Sequence, residues 1–264
     1  MALRLIVTRP QPQADAWVER LVRHGIDACA LPLLSIESVA DLGALHAAWH
    51  DLPRYALVMF VSPNAVSHFF AARPSALQAQ GWPAITRAGA TGPGTLQALQ
   101  MAGVPASLCV SPAAQAPQFD SAALWAQLQF LPWDGREVLV LRGDGGRDEF
   151  AAHLRAAGAA VHFTQAYHRR LPQHGPVERE RLAAALAAPT RHLWWLSSTE
   201  ALGHLPSLVP GADWGAAQAL ASHPRIAERA RTLGFGRVFE AAPTLAAVRD
   251  ALVAIEPCLQ SPSP

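Results

Sequence analysis

The chain has 264 residues and a formal net charge of +1, from 21 basic and 20 acidic residues. At about 100–200 residues per domain that length predicts two domains, and the charge balance leaves no overall field to hold nucleic acid or an anionic membrane. All 21 basic residues are arginine, which excludes Schiff-base chemistry, pyridoxal anchoring and a Walker A phosphate loop, since each needs a lysine. The remaining cations suit planar, bidentate grips on carboxylates or phosphates.

The chain opens on an apolar run at residues 3–8 that Arg4 interrupts and Pro10 closes. It is too short for a secretory signal, and no later stretch approaches the ~20 apolar residues of a membrane span. Further short runs at residues 57–61, 85–89, 137–141, 193–196, 217–221 and 237–240 alternate with longer segments of helical period. That alternation predicts an α/β fold of parallel sheets covered by helices. Pro10, Pro12, Pro63, Pro93 and Pro224 stand where helices should start, and Gly25, Gly103, Gly158 and Gly234 where they should end in a left-handed residue. The tail from Pro257 reads as disordered. Cys29, Cys109 and Cys258 lie far apart and form no CxxC; this suggests neither a disulfide framework nor a zinc site and fits a reducing, cytoplasmic compartment.

The punctuation repeats. Arg9 and Arg142 are 133 residues apart, as are Gly25 and Gly158. The stretch from Val61 through Ser62 and Pro63 to Val66 resembles the one from Leu196 through Ser197 and Ser198 to Leu202, with Ala65 and Ala201 offset by 136. Pro93 and Pro224, Gly103 and Gly234, and Pro112 and Pro243 are each offset by 131, and the last pair should open the final helix of each copy. The chain therefore reads as two tandem copies of four strand-helix units. Residues 31–37 and 161–169 follow the first unit of their copies and both read as extended strands. If these are paired crossings between domains, the first unit joins the last three, and the rest is inserted. The expected fold is two doubly wound parallel-sheet domains, the second inserted into the first, joined by a two-stranded ladder. The expected boundaries are residues 1–35 plus 170–264 for the first domain and 38–166 for the second.

In such sheets ligands lie beyond the carboxyl ends of the strands, where helix N-termini present free amides. The turns expected there are Thr8-Arg9-Pro10, Ser62-Pro63-Asn64, Gly89 to Gly92, Arg142 to Gly146, Ser197-Ser198-Thr199 and Ser222-His223-Pro224-Arg225. Hydroxyls, glycine amides and arginines suit a polyanion better than acid–base chemistry, although each hydroxyl is also an ordinary helix cap. A dinucleotide loop starting at Gly143 would need glycine at position 148, which is Asp148. His46 and His50 are one helical turn apart but lack a third ligand, and no GxSxG elbow occurs. Tyr167, one of only two tyrosines, falls in a proposed crossing strand facing the interdomain cleft, where its hydroxyl can assist a leaving group or simply bond to backbone.

Taken in order, Val7-Thr8-Arg9-Pro10, Phe60 to Val66, the turn at Thr91, Arg142 to Asp148, Tyr167 and Ser197-Ser198 resemble the uroporphyrinogen-III synthase family over about residues 3–255. The resemblance implies cyclisation of the linear tetrapyrrole hydroxymethylbilane, with inversion of ring D and loss of water, by a lyase using no cofactor and no metal. It implies that Tyr167 assists departure of the hydroxyl and that the turns at Ser62, Thr91 and Ser197 contact substrate. The same turns nominate Arg9, Asn64, Gly92, Arg142, Gly143, Ser198, His223 and Pro224 as further contacts, although in the turn Ser222-His223-Pro224-Arg225 other members can carry Gly or Thr. Partners are expected to be the small-molecule substrate, handed on by the preceding deaminase, with no nucleic acid and no membrane, and the chain is expected to be a monomer. The competing reading is a non-catalytic two-domain binding or sensor protein that closes on a small polyanion; ligand-dependent closure without product would favour it.

Overall fold

The computed structural model describes residues 3–113, 121–145 and 148–260, with backbone only at 256–260. In chain order the strands are β1 (Arg4–Val7), β2 (Ala28–Ala30), β3 (Ser35–Ser38), β4 (Tyr55–Phe60), β5 (Arg87–Ala90), β6 (Cys109–Val110), β7 (Glu137–Arg142), β8 (Ala160–Gln165), β9 (Tyr167–Arg170), β10 (His192–Leu196), β11 (Gln218–Ala221) and β12 (Arg237–Glu240). The helices are α1 (Gln13–Arg23), α2 (Gly43–His50), α3 (Pro63–Ala71), α4 (Pro93–Met101), α5 (Ser121–Leu128), α6 (Glu149–Ala156), α7 (Pro176–Ala187), α8 (Thr199–Gly203), α9 (Leu205–Leu208), α10 (Pro224–Thr232) and α11 (Leu245–Gln260). None of these helices is long and apolar enough to cross a membrane.

Two compact units result, Met1–Ser35 with Arg170–Pro264, and Ile36–Arg169. The first holds a five-stranded sheet in the order β12-β11-β10-β1-β2, and the second one in the order β6-β5-β4-β7-β8. Both sheets are parallel throughout. The chain leaves the first unit through β3 and returns through β9, and these two strands pair as a ladder of their own. Each sheet thus combines the first two strands of one sequence copy with the last three of the other, the insertion expected from a pair of crossing strands.

Local chemistry explains the boundaries. Pro63, Pro93, Pro176 and Pro224 each occupy the first turn of their helices, where a missing N–H costs no intrahelical bond. Gly25, Gly103, Gly158 and Gly234 have φ of 77°, 87°, 92° and 97° just past α1, α4, α6 and α10, a left-handed conformation that ends the helix at low cost. In the second unit Val58, Phe60, Leu139 and Leu141 pack on one face of the sheet and Leu57, Met59, Val138 and Val140 on the other. A strand covered on both faces reads as a continuous apolar run, which is why β4 and β7 stand out in the sequence. The first unit's core gathers Leu5, Val7, Leu193, Trp195 and Leu220 under Leu21 and Val248.

Several expectations need correction. The run at 161–169 is two strands, β8 in the second unit's sheet and β9 in the ladder, with Ala166 between them. Of 31–37 only the part from Ser35 is strand, and β2 and β6 are strands that the sequence pattern does not predict. Strand β5 starts at Arg87 and leaves Ile85 exposed. Helix α5 starts at Ser121, nine residues after Pro112, and residues 114–120 lie outside the described residues. Helix α11 continues to Gln260, through the start of the tail expected to be disordered; 261–264 lie outside the described residues.

Candidate functional site

The nominated residues fall into two groups, each at the carboxyl ends of one unit's strands. In the second unit Ser62 caps α3, accepting the Ala65 N–H at 3.2 Å. Its Oγ lies 3.0 Å from the Tyr167 hydroxyl. Tyr167 opens β9 and is 1 % exposed, in the same buried cluster as Phe60, Ala65, Phe69 and Leu141. Arg169 Nη2 donates to Tyr167 Oη at 3.0 Å, with the guanidinium carbon 5.3 Å from the ring centre. The His68 ring lies 5.7 Å from that of Tyr167, and burial pushes the imidazole below its ordinary pKa.

Gly143 has a steric role. A Cβ there would stand 2.6 Å from Cε2 of Tyr167, so only glycine lets the ring lie against this turn. The next residue, Asp144, turns its carboxylate to β9, accepting from the Arg169 N–H at 2.6 Å and lying 2.8 Å from His168 Nδ1. Its carbonyl accepts from Arg169 Nη1 at 3.1 Å. Arg142 is already engaged: it pairs with Asp148 at 2.7 Å and lies over the Phe163 ring at 4.0 Å. Gly146 and Arg147 of the same turn lie outside the described residues. Thr91 donates to the Val61 carbonyl at 3.1 Å, which ties the β5 turn to the β4 turn, and Gly92 caps α4 with extended backbone. Asn64 follows Pro63 in the first turn of α3 and is half-buried.

In the first unit Ser198 caps α8 through the Ala201 N–H at 3.2 Å, the same bond as Ser62 makes, 136 residues on. Ser197 beside it is half-buried. His223 caps α10 with Nδ1, which accepts the Arg225 N–H at 3.1 Å, and Pro224 fills the first turn. Thr8 is buried and donates to the Trp195 carbonyl at 2.6 Å. Arg9 lies near two indoles, 5.6 Å from the Trp17 ring and 5.3 Å from Trp195. Its Nε has no acceptor among the described residues, and desolvation lowers its pKa. Arginine remains charged under such a shift.

Sequence reasoning missed Arg169 and Asp144. Residues two apart on a strand share a face, so Arg169 was findable once Tyr167 was singled out; Asp144 sat in a turn read only for its amides. Among the described residues no cluster of three or more His, Cys, Asp or Glu could hold a metal ion.

The family model described as "Uroporphyrinogen-III synthase HemD" matches residues 15–249. The uroporphyrinogen-III synthase of Salmonella typhimurium is 30% identical over 216 residues, 79% of this chain and 80% of that protein. The Escherichia coli protein of the same name is 29% identical over 240 residues, 88% and 92% of the two chains. Among solved structures, a mutant uroporphyrinogen III synthase of Thermus thermophilus superposes with a TM-score of 0.58 at 18% identity, covering 97% of this chain and all of that one. The Helicobacter pylori structure gives 0.57 at 14%, with the same coverage; likenesses this distant speak for the fold.

Proposed function

The chain belongs to the uroporphyrinogen-III synthase family, and from that premise we propose that it is the lyase that cyclises hydroxymethylbilane, inverting ring D and releasing water. The observation that carries the site assignment is the contact of Tyr167 Oη with Ser62 Oγ and Arg169 Nη2, both at 3.0 Å, at the carboxyl ends of the second unit's strands.

The substrate's chemistry fits these residues. Its pyrroles carry acetate and propionate groups, so it is a flexible polyanion whose carboxylates suit helix N-termini, hydroxyls and arginines. Loss of its hydroxyl as water generates an electrophilic azafulvene. The protein's main task is then to hold ring D so that its substituted carbon meets that electrophile. Tyr167 supplies the proton that lets the hydroxyl leave. Arg9, Ser197, Ser198, His223 and Pro224 in the first unit, and Asn64, Thr91, Gly92 and Arg142 in the second, are the proposed contacts for the rest of the substrate. No amine, metal or cofactor enters this scheme, and a chain without lysine loses nothing by it. The enzyme acts as a cytoplasmic monomer on substrate made by the preceding deaminase.

Purified protein fed hydroxymethylbilane generated in situ should give the type III isomer, read by chromatography after oxidation. Spontaneous type I product alone overturns the assignment, and ligand uptake without turnover returns the binding-protein reading. Tyr167→Phe should lower kcat by about a hundredfold with the fold intact by circular dichroism. Undiminished activity in that variant removes Tyr167 from the chemistry.

A further inference from the structure

The side chain of Tyr167 is almost wholly buried, so a route is needed from its hydroxyl to a bound substrate. We propose that Ser62 is the hydroxyl that meets the departing oxygen, and that Arg169, acting through Tyr167, sets the direction in which the proton runs to it. This inference rests on the proposed reaction and on Tyr167 as its proton source.

The direction follows from counting donors and acceptors. A guanidinium only donates, so Tyr167 Oη must accept from Arg169. Among the described residues the other partner of that oxygen is Ser62 Oγ, and the one phenolic proton is therefore directed there. Ser62 Oγ also accepts the Ala65 N–H. With both of its lone pairs engaged, the serine's own proton is left to point outward from a half-buried position at the strand end. The chain thus runs one way, from Arg169 to Tyr167 to Ser62 to ligand. Its start is anchored, because Asp144 holds Arg169 at the backbone N–H and at Nη1. Ser62 is then a catalytic residue, and Arg169 a positioning residue.

The step balances. As the carbon–oxygen bond of the hydroxymethyl group breaks, its oxygen takes the Ser62 proton and leaves as water, while Ser62 takes the proton of Tyr167. The pyrrole nitrogen's electron pair replaces the broken bond, which leaves a cationic azafulvene, and the phenolate formed faces the Arg169 guanidinium. When ring D has attacked and the product regains its aromatic pyrroles, the proton it sheds returns through Ser62 to Tyr167.

The test is a set of steady-state measurements on the full chain with hydroxymethylbilane. Ser62→Gly removes the hydroxyl but keeps a residue that still caps helices. It should lower kcat by about a hundredfold, as Tyr167→Phe does, with KM changed by less than about threefold. The double variant should be no slower than either single one, since residues acting as one unit are not additive. Ser62→Thr, which keeps cap and hydroxyl, should restore most of the rate. Arg169→Met should cost about tenfold in kcat in the native background and nothing further beside Tyr167→Phe. A Ser62→Gly enzyme within about twofold of native kcat, or losses that multiply in the double variants, overturns the relay. Either result leaves the Tyr167 reading standing if Tyr167→Phe is still slow, whereas a fully active Tyr167→Phe sinks that reading itself. If Ser62→Gly fails to fold, Ser62→Asn, which keeps a strong cap but has no hydroxyl, carries the same expectation.

Discussion

The two units are built on one plan and differ in what stands behind their turns. Their sheets share an order once β10, β11, β12, β1 and β2 are matched with β4, β5, β6, β7 and β8. Ser62 and Ser198 cap equivalent helices through bonds of the same 3.2 Å length. Behind Ser62 lie a phenol and a guanidinium. The first unit instead backs its turns with indoles: Trp195 takes the Thr8 hydroxyl on its carbonyl, packs edge-on against Trp17 at 4.4 Å, and faces Arg9. A hydroxyl on a polar chain can pass a proton; a cation against aromatic faces, with an Nε that finds no acceptor among the described residues, can hold one of the substrate's carboxylates. The scaffold supplies the turn twice, and on the proposed reaction the side chains beneath it would separate chemistry from grip.

That division can be broken at either end. The largest effect is expected from Gly143→Ala, which places a methyl 2.6 Å from the Tyr167 ring edge and 2.9 Å from Cζ. The ring must move, its hydroxyl leaves Ser62, and kcat should fall by about a hundredfold, as when Tyr167 loses its oxygen. An alanine enzyme with native kcat would mean that the phenol's position is not needed. Next is Arg9→Met, which keeps the stem and removes the charge. If the first unit grips and the second reacts, KM should rise about tenfold with kcat little changed, the mark of lost uniform binding. A fall in kcat at constant KM would instead place Arg9 in the chemistry and erase the distinction between the units.

How far the sequence carries the argument depends on the range of the contact involved. Strands such as 137–141 and 193–196 are legible because burial on both faces makes them unbroken apolar runs. The left-handed glycines and first-turn prolines are legible because their backbone requirements are local. Strands β2 and β6, at three and two residues, are too short for any period, and their pairing is decided by the neighbouring strand. Gly143 could be read as a donor turn, but its contact is with a ring 24 residues away, which no local pattern encodes. Asp144 likewise places its carboxylate against β9, 25 residues on, where it accepts the Arg169 N–H.

The smallest expected effect concerns acid. Burial lowers the pKa of His68 below its ordinary 6.5, and this ring stands beside Tyr167 with Nδ1 3.3 Å from Ser38 Oγ. Because the folded chain holds the proton less tightly than the unfolded one, the unfolded state binds more protons between the two pKa values, and stability rises with pH there. The contribution is complete above pH 6.5 and is lost as pH falls through the folded value. Since the affected ring packs beside β9, protection against hydrogen exchange, taken relative to the intrinsic rate at each pH, should fall on acidification in the second unit's β4 and β9 before β10 and β11 of the first. His68→Gln, which retains a partner for Ser38, should flatten that dependence. Equal acid sensitivity in both units, unchanged by the substitution, would show that the titrating group lies elsewhere.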